Sequence, residues 1–251
     1  LKIISRHGVG YDNIDLETSK KKNLTLAITA TANAIAVAEH VMFMLLNISK
    51  RKDMYDNAVK HGKFNDRNKL PKTVELWNKN ILIAGFGRIG QALIKRCLGF
   101  ESEVLVYDPF IQKEIIENNN CKKIDLKEGI KIADFITIHM PLNKDTMDLI
   151  KKDEFLIMKE NCILVNTARG GIVNETDLLW AILNSAKSIL WLFINRRCQQ
   201  ARQVGCLLSA AHRDIFWDPQ ALQRVGILHF TIKHFLDMQW RCLTAVTQDQ
   251  A

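Results

Sequence analysis

The sequence predicts an α/β protein built on a doubly wound parallel sheet. From Asn80 onward, short continuous apolar runs alternate with segments of helical periodicity. Runs that lack alternating polar positions are typical of strands buried on both faces. A glycine-rich turn joins the first run to the first helical segment, and strand–helix–strand repetition at this spacing indicates parallel strands joined by crossover helices.

Four apolar runs are predicted to form strands and five segments to form helices. The strands are expected at residues 81–84, 104–107, 135–139 and 163–166. The helices are expected at residues 89–97, 111–118, 127–133, 153–158 and 175–184.

The part of the chain before residue 80 predicts further elements. Residues 2–5 and 24–28 are expected to be strands, each followed by turn residues. Residues 34–49 predict a long helix, and Asn33 is its candidate N-cap because its side chain can accept from the first backbone amides. The helix is apolar on most faces, so we expect it to be buried between domains or between subunits. Residues 61–72 are polar, which favours a loop.

Composition excludes several classes of protein. The chain has 251 residues, 47% hydrophobic and 25% charged, as in a soluble globular protein. The longest apolar stretch, residues 34–48, contains Glu39 and His40 and is too short to span a membrane. The six cysteines include no C-x-x-C pair, so we expect reduced thiols, no metal site and a cytoplasmic location. The chain begins with Leu1 and has no signal-peptide pattern, so we expect a piece of a longer reading frame.

The net charge of +8 does not predict a nucleic-acid partner. Residues 1–187 carry 28 Lys and Arg against 23 Asp and Glu, and the lysines are interspersed with acids apart from a short run at 20–22. Such mixing is typical of a solvated surface.

The composition changes abruptly near residue 188. Lys outnumbers Arg 22 to 6 before this point and is outnumbered 1 to 6 after it, while Asn falls from 17 to 1. No Glu follows Glu175. We expect residues 188–251 to be an aberrant tail, from a shifted reading frame or a fusion, that packs poorly. The alternative is a genuine small domain of unusual composition.

The glycine-rich turn predicts a dinucleotide site. Gly85-Phe86-Gly87-Arg88-Ile89-Gly90 follows a predicted strand and opens a predicted helix. In this context the first glycine permits a tight turn, the second lets a diphosphate approach the backbone, and the third lets the helix pack closely on the strand. The amides and the dipole of the helix N-terminus favour the phosphates.

Asp108 indicates which dinucleotide is bound. It ends the next predicted strand, where a carboxylate can accept hydrogen bonds from the adenosine ribose hydroxyls. The carboxylate would repel a 2'-phosphate, and the next basic residue is Lys113. NAD is therefore expected rather than NADP.

Arg169 follows the last of the four predicted strands, in Asn166-Thr167-Ala168-Arg169-Gly170-Gly171. Ligands of open α/β sheets bind beyond the carboxyl ends of the strands, so its planar guanidinium is placed to meet an anion. The alternative is an ordinary surface ion pair. His139 also ends a strand, and by itself it is more typical of a satisfied loop residue than of a catalytic one.

Together these segments resemble the D-isomer-specific 2-hydroxyacid dehydrogenases, most closely the phosphoglycerate dehydrogenase branch. The resemblance spans residues 1 to about 187, through SRHGVGYDNID at 5–15, VAEH at 37–40, GFGRIG at 85–90, VYDP at 106–109, DFITIHMPL at 134–142 and VNTARGGIV at 165–173. It implies a Rossmann-like NAD domain at 51–187, and a partial flavodoxin-like substrate domain with a hinge helix at 1–50. It also implies a small 2-hydroxyacid or 2-oxoacid substrate. It further implies a homodimer, in which the apolar helix at 34–49 would contact the second subunit.

The resemblance also implies roles for individual residues. Arg88 and Ile89 would bind the diphosphate through their amides, and Asp108 the ribose. Arg169 would be catalytic, clamping the substrate carboxylate and polarising the reacting carbonyl, with help from the amides of the loop that contains Val9 and Gly10. The implied cofactor-binding set is Val9, Gly85, Gly87, Arg88, Ile89, Gly90, Asp108, Met140, Pro141, Thr167, Ala168 and Arg169.

The sequence departs from the family in three places. The histidine and glutamate that serve the family as general acid/base pair have no counterpart here, and none of the tail histidines lies in a matching context. Residues 188–193 could fill the position of the next strand but lack its terminal aspartate. Asn78 replaces a usual glycine, a mild change because Asn tolerates positive φ.

These departures leave three functions open. The first is an NAD-dependent dehydrogenase of D-2-hydroxyacids whose present copy is incomplete and weakly active or inactive. The second is a non-catalytic NAD-binding sensor that resembles a corepressor. The third is a related NAD enzyme acting on another substrate, such as formate.

Overall fold

The computed structural model describes residues 1–11, 13–29, 31–184 and 190–193. A small parallel sheet comes first, formed by β1 (Ile3–Arg6) and β2 (Thr25–Ile28). Helix α1 (Leu16–Lys21) connects them and was not predicted. Asp15 caps it by accepting a hydrogen bond from the Thr18 amide at 2.9 Å. The segment has few apolar residues, so its sequence did not indicate a helix.

The main sheet has six parallel strands in the order β5-β4-β3-β6-β7-β8. All four predicted strands are confirmed within it, whereas β5 was missed because it has only two residues. The chain runs outward from β3 to β5 and then returns to β6, so a crevice opens between the carboxyl ends of β3 and β6. The strands are β3 (Asn80–Ala84), β4 (Glu103–Tyr107), β5 (Lys122–Lys123), β6 (Phe135–Ile138), β7 (Ile163–Asn166) and β8 (Leu190–Phe193).

The predicted helices are confirmed with ends shifted by up to two residues, and besides α1 two further helical elements were missed. The helices after α1 are α2 (Ala34–Ser49), α3 (Lys52–Lys60), α4 (Arg88–Gly99), α5 (Lys113–Glu117), α6 (Leu126–Ile132), α7 (Lys152–Ile157) and α8 (Glu175–Asn184). Helix α3 is amphipathic but polar on average, and Asp56 pairs in it with Lys52 at 3.3 Å and with Lys60 at 2.8 Å. The expected loop at 61–72 contains a 3₁₀ helix, Phe64–Lys69.

The core lies on both faces of the main sheet, as a doubly wound fold requires. Side chains alternate along β3, so Ile81 and Ile83 join one buried cluster and Leu82 joins the other. The first cluster includes residues of α2 and α4, and the second includes residues of α6, α7 and α8. This arrangement explains why the strands appear in the sequence as continuous apolar runs.

Helix α2 is buried on one side within this chain and exposed on the other. Val41, Met44 and Leu45 are fully buried, but Ile35 and Phe43 are each 60% exposed. Within this chain α2 packs one side against α4 and β7, and burial of its other side between subunits stays a prediction.

Asn33 stands at the N-cap of α2, as predicted, but does not cap it. Its φ of −108° and ψ of 0° differ from the extended conformation of capping residues, and its side chain makes no capping hydrogen bond. Its Oδ1 atom is buried without a hydrogen-bond partner among the described residues.

Strand β8 occupies the position that the sequence left open for residues 188–193. Residues Leu190–Phe193 pair in parallel with Ile163–Asn166. The predictions for the rest of the tail at 188–251 fall outside the described residues. Asn78 has a φ of +54°, as expected for a residue in place of a glycine.

The described cysteines are Cys97, Cys121 and Cys162, and all three are free and buried. Burial raises the pKa of Cys97 to about 12 and that of Cys121 to about 11. Within the described residues, no helix combines the length and the apolar character that crossing a membrane demands.

Candidate functional site

The glycine turn connects β3 to α4 at the crevice. Gly85 has a φ of +111°, and a Cβ atom there would lie 2.8 Å from the carbonyl oxygen of His139. A Cβ atom at Gly90 would collide with the carbonyl oxygen of Gly85. These two glycines therefore allow β3, β6 and α4 to approach closely.

Gly87 differs from the other two glycines. It has a φ of −70°, which any residue can adopt, and a Cβ atom there would have no neighbour within 4 Å. It is also the N-cap of α4 and has no side chain to cover the amides of Arg88 and Ile89. The turn therefore leaves room for a ligand phosphate at the positive end of the α4 dipole, which fits a dinucleotide.

Asp108 is tied to this turn by hydrogen bonds. Its Oδ2 atom accepts from the Phe86 amide and its Oδ1 atom from the Phe110 amide, both at 2.9 Å. The residue is half-buried, and each oxygen keeps a second lone pair that can accept from a ribose hydroxyl. The sequence did not predict this contact with the turn, because the contact joins residues that lie far apart in the sequence.

Asp108 also lines a cleft of about 510 Å³. The sequence pointed only to Lys113 as a nearby cation, but Lys122 and Lys123 line the cleft as well. Lys123 Nζ donates to the carbonyl oxygen of Ile111 at 2.6 Å, which fixes the position of that ammonium. The full lining is Tyr107, Asp108, Pro109, Lys113, Lys122, Lys123, Ile124, Asp125 and Glu128.

His139 connects three strands at the crevice. Its amide donates to the carbonyl oxygen of Ala84 at 2.8 Å. Its Nε2 atom lies 2.7 Å from Thr137 Oγ1, and its Nδ1 atom lies 3.4 Å from Thr167 Oγ1. Burial lowers the pKa of His139 to about 3, so the ring is neutral at neutral pH. The expectation of a satisfied residue is confirmed.

Met140 and Pro141 continue from His139 into the loop after β6. Met140 is buried and Pro141 is exposed. The Cγ atom of Met140 lies 3.0 Å from the position of a Cβ atom at Gly85, so this side chain packs against the turn. Thr146 Oγ1 donates to the Pro141 carbonyl oxygen at 2.6 Å and fixes the loop.

Arg169 lies in a turn at the carboxyl end of β7 that Asn166 holds in place. Asn166 is 1% exposed. Its Oδ1 atom accepts from the Ala168 amide at 3.0 Å, and its Nδ2 atom donates to the Arg169 carbonyl oxygen at 2.8 Å. Arg169 Nη1 donates to the Ala168 carbonyl oxygen at 2.8 Å. Sequence reasoning placed Arg169 correctly beyond the strand but missed the clamp by Asn166.

Val9 and Gly10 lie at the end of β1, on the small sheet. Their loop is fixed by a hydrogen bond from the Gly8 amide to Thr29 Oγ1 at 2.7 Å and one from Arg6 Nε to the Gly10 carbonyl oxygen at 2.8 Å. Among the described residues, the hydrogen bonds of this loop stay within the small sheet and its connections. The other predicted site residues gather at the carboxyl edge of the main sheet.

The fold and the glycine turn define a dinucleotide-binding α/β protein. Residues 42–190 match the family model described as "D-isomer specific 2-hydroxyacid dehydrogenase, NAD binding domain". The chain belongs to this family and carries its NAD-binding domain. The predicted family, fold class and cofactor are thus confirmed.

Curated relatives agree with this assignment. The chain is 40% identical over 182 residues to D-3-phosphoglycerate dehydrogenase from Archaeoglobus fulgidus, covering 72% of this chain and 34% of the relative. It is 36% identical over 178 residues to hydroxypyruvate reductase from Thermotoga maritima, covering 71% of this chain and 56% of the relative. The chain thus spans about a third of the length of the phosphoglycerate dehydrogenase it matches.

Solved structures share the fold. D-lactate dehydrogenase from Aquifex aeolicus, complexed with NAD and lactic acid, is similar with a TM-score of 0.72 at 26% identity, covering 99% of this chain and 79% of that one. The NAD-dependent formate dehydrogenase from Staphylococcus aureus, in complex with NAD, is similar with a TM-score of 0.64 at 33% identity, covering 74% of this chain and 55% of that one.

Proposed function

We propose that the chain is the cofactor-binding part of an NAD-dependent oxidoreductase that acts on the CH–OH group of a D-2-hydroxyacid, of the phosphoglycerate dehydrogenase type. The observation that carries this proposal is the placement of Arg169. Asn166 fixes its turn at the carboxyl end of β7, on the same edge of the sheet as the glycine turn and Asp108. A guanidinium beside a dinucleotide site is suited to a carboxylate substrate.

The cofactor would be held by three groups of residues. The amides of Arg88 and Ile89 bind the diphosphate above Gly87, and Asp108 accepts from the ribose hydroxyls. Met140 and Pro141 would line the crevice between β3 and β6, together with Gly85 and Gly90, which shape the turn. When bound, NAD supplies the nicotinamide ring that exchanges a hydride with the substrate.

The substrate would lie between Arg169 and the loop on the small sheet. Thr167 and Ala168 adjoin the nicotinamide end, and Arg169 orients the carboxylate and stabilises the negative charge that develops on the reacting oxygen. The amides of Val9 and Gly10 add donors to the carboxylate. Val9 also borders the cofactor.

The proton-transfer group is the missing part of this site. No glutamate follows Glu175, so a carboxylate partner of the family's kind for a catalytic histidine is absent from the later sequence. Loss of a general acid/base lowers the rate by a factor of about 10² to 10⁴. We therefore expect weak turnover, or none, from this chain.

The same missing glutamate favours a second candidate function. A protein that binds NAD at an intact site without turnover could act as a cofactor-dependent regulator, comparable to a corepressor. The two candidates differ in one respect: the regulator would change its association with a partner when NAD binds, whether or not a 2-oxoacid is present.

We also propose a cytoplasmic homodimer. The described cysteines are free, which suits a reducing compartment.

Helix α2 exposes Ile35 and Phe43, and the ring of His40 stacks on Phe43 with centroids 6.0 Å apart. A second copy could cover this apolar surface, and sedimentation of wild type and Phe43→Ser would test the association.

Two measurements test the proposed function. Calorimetric titration with NAD should detect binding to this chain, and NADH oxidation with a panel of 2-oxoacids should reveal any turnover. Arg169→Ala should leave the NAD affinity of this chain within about threefold of wild type, and the matching substitution in an intact relative should abolish turnover. Arg96→Ala is a matched control, because Arg96 pairs with Glu39 on α2, outside the site.

Each failure has a distinct meaning. Absence of NAD binding by folded protein would reject both candidates. NAD binding with no turnover in this chain and in an intact relative would favour the regulator. Turnover that survives Arg169→Ala would remove the role assigned to Arg169.

A further inference from the structure

Thr137, His139 and Thr167 form a hydrogen-bonded chain across the ends of β6 and β7. The hydroxyl of Thr137 lies 2.7 Å from His139 Nε2, and that of Thr167 lies 3.4 Å from His139 Nδ1. Thr137 is fully buried and Thr167 is half-buried. This series of hydrogen bonds therefore extends from the interior of the sheet to the edge where the site residues gather.

The burial of Thr137 determines which partner donates in each hydrogen bond. Among the described residues, the Thr137 hydroxyl has one hydrogen-bond partner, His139 Nε2. If Nε2 carried the proton, Thr137 would accept it and its own buried hydroxyl proton would have no acceptor. A buried donor without an acceptor is costly, so Thr137 donates to an unprotonated Nε2.

The proton of the neutral ring then resides on Nδ1. A neutral imidazole has one protonated nitrogen, and Nδ1–H points to Thr167 Oγ1 over a long, weak contact. Because the Thr167 oxygen faces a donor on this side, its own proton turns away from His139. Thr167 would thus present a donor to the ligand site.

We propose that His139 is a positioning residue that orients the Thr167 hydroxyl as a hydrogen-bond donor toward an acceptor oxygen of the bound cofactor, the carboxamide oxygen of nicotinamide. This inference rests on the proposed function for the position of Thr167 beside nicotinamide. The low pKa of His139, caused by burial, agrees with a ring that stays neutral. The backbone of His139 is fixed independently, by its hydrogen bond to Ala84.

The ring tautomer can be measured without ligand. Protein labelled with ¹⁵N-histidine would be examined by NMR, and the His139 ring assigned from the signals lost in His139→Gln. The expected result is a protonated Nδ1 and an unprotonated Nε2. In Thr137→Val, which keeps the shape of the buried side chain, the Nε2 nitrogen should lose its hydrogen-bonded shift. A protonated Nε2 in wild type would overturn the proposal.

The direction of the Thr167 hydroxyl can be measured with cofactor analogues. Thionicotinamide adenine dinucleotide replaces the acceptor oxygen with sulfur, whereas the acetylpyridine analogue keeps the oxygen and lacks the amide nitrogen. Wild type should bind the thio analogue about two- to tenfold more weakly than NAD and the acetylpyridine analogue about as well as NAD. Thr167→Val should remove this discrimination, and Thr167→Ser should retain it.

The opposite order of analogue affinities would show that Thr167 accepts from the amide nitrogen and would overturn the proposal. Equal binding of all three dinucleotides by wild type would also overturn it. If no dinucleotide binds, the proposed function fails, while the tautomer measurement still decides the role of His139 within the sheet.

Discussion

The carboxylate of Asp108 accepts a hydrogen bond from the amide of Phe86 at 2.9 Å. The residue predicted to bind the ribose therefore also closes the glycine turn, 22 positions earlier in the chain. We therefore expect affinity for the cofactor and the local stability of the turn to depend on the same carboxylate.

Asp108→Asn separates these contributions only in part. The amide side chain offers one acceptor oxygen, so the Phe86 and Phe110 amides cannot both keep their partner. We expect the free energy of unfolding to fall by about 1–3 kcal/mol and NAD affinity to fall by at least about tenfold. Urea unfolding and calorimetry measure the two effects, and Asp53→Asn on the exposed part of α3 is the control. Unchanged NAD affinity would contradict the assigned role.

Gly87 and Gly85 should respond differently to alanine. Gly87→Ala places a methyl group in open space at a permitted φ, so stability should stay within about 0.5 kcal/mol while NAD binding weakens because the methyl group occupies the phosphate approach. Gly85→Ala places a methyl group against the His139 carbonyl at a φ of +111°, so the protein should be strongly destabilised. Thermal unfolding and NAD titration of both variants test this contrast. Normal NAD binding by Gly87→Ala would place the diphosphate elsewhere.

The pKa of His139 predicts a pH dependence of stability. Its usual value is 6.5 and burial lowers it to about 3 in the folded protein. Between these values the unfolded chain takes up a proton that the folded protein does not, so the free energy of unfolding falls as the pH falls from 6.5 toward 3. Above 6.5 this contribution is fully present.

Comparison with His139→Gln isolates this contribution. Urea unfolding at pH 7.5 and 5 should show a larger loss of stability in wild type than in the variant. Carboxylates such as Asp15 and Asp56, whose pKa values are lowered by hydrogen bonds, titrate in both proteins and cancel in the difference. Equal losses in the two proteins would show that His139 already titrates near its usual pKa when folded.

The buried thiols should resist alkylation in the native protein. Burial raises the pKa of Cys97 to about 12 and of Cys121 to about 11, so little thiolate forms at pH 8 and access is restricted. Iodoacetamide treatment followed by peptide mapping should leave these two residues unmodified until urea is added. Rapid native modification of Cys97 would indicate local opening between α4 and α2.

The sequence predicts four of the six strands of the main sheet because each of these four is a continuous apolar run, and it predicts the glycine turn because its context is specific. It misses α3, which is short and polar on average, and it does not show which face of α2 is exposed within this chain. The pairs Phe86–Asp108 and Thr167–His139 join segments distant in sequence, so no local pattern announces them. At Asn33 the local sequence predicts a cap that does not form, because this residue lacks the backbone conformation that capping requires.

Strand β5 is short and charged, and both properties affect how copies of the protein can associate through the edge of the main sheet. This strand lies at one margin of the main sheet and contributes only Lys122 and Lys123, so a neighbouring chain would find few backbone groups to pair with and the exposed charge of Lys122 beside them. At this margin the protein is thus guarded against strand-to-strand aggregation, even when concentrated.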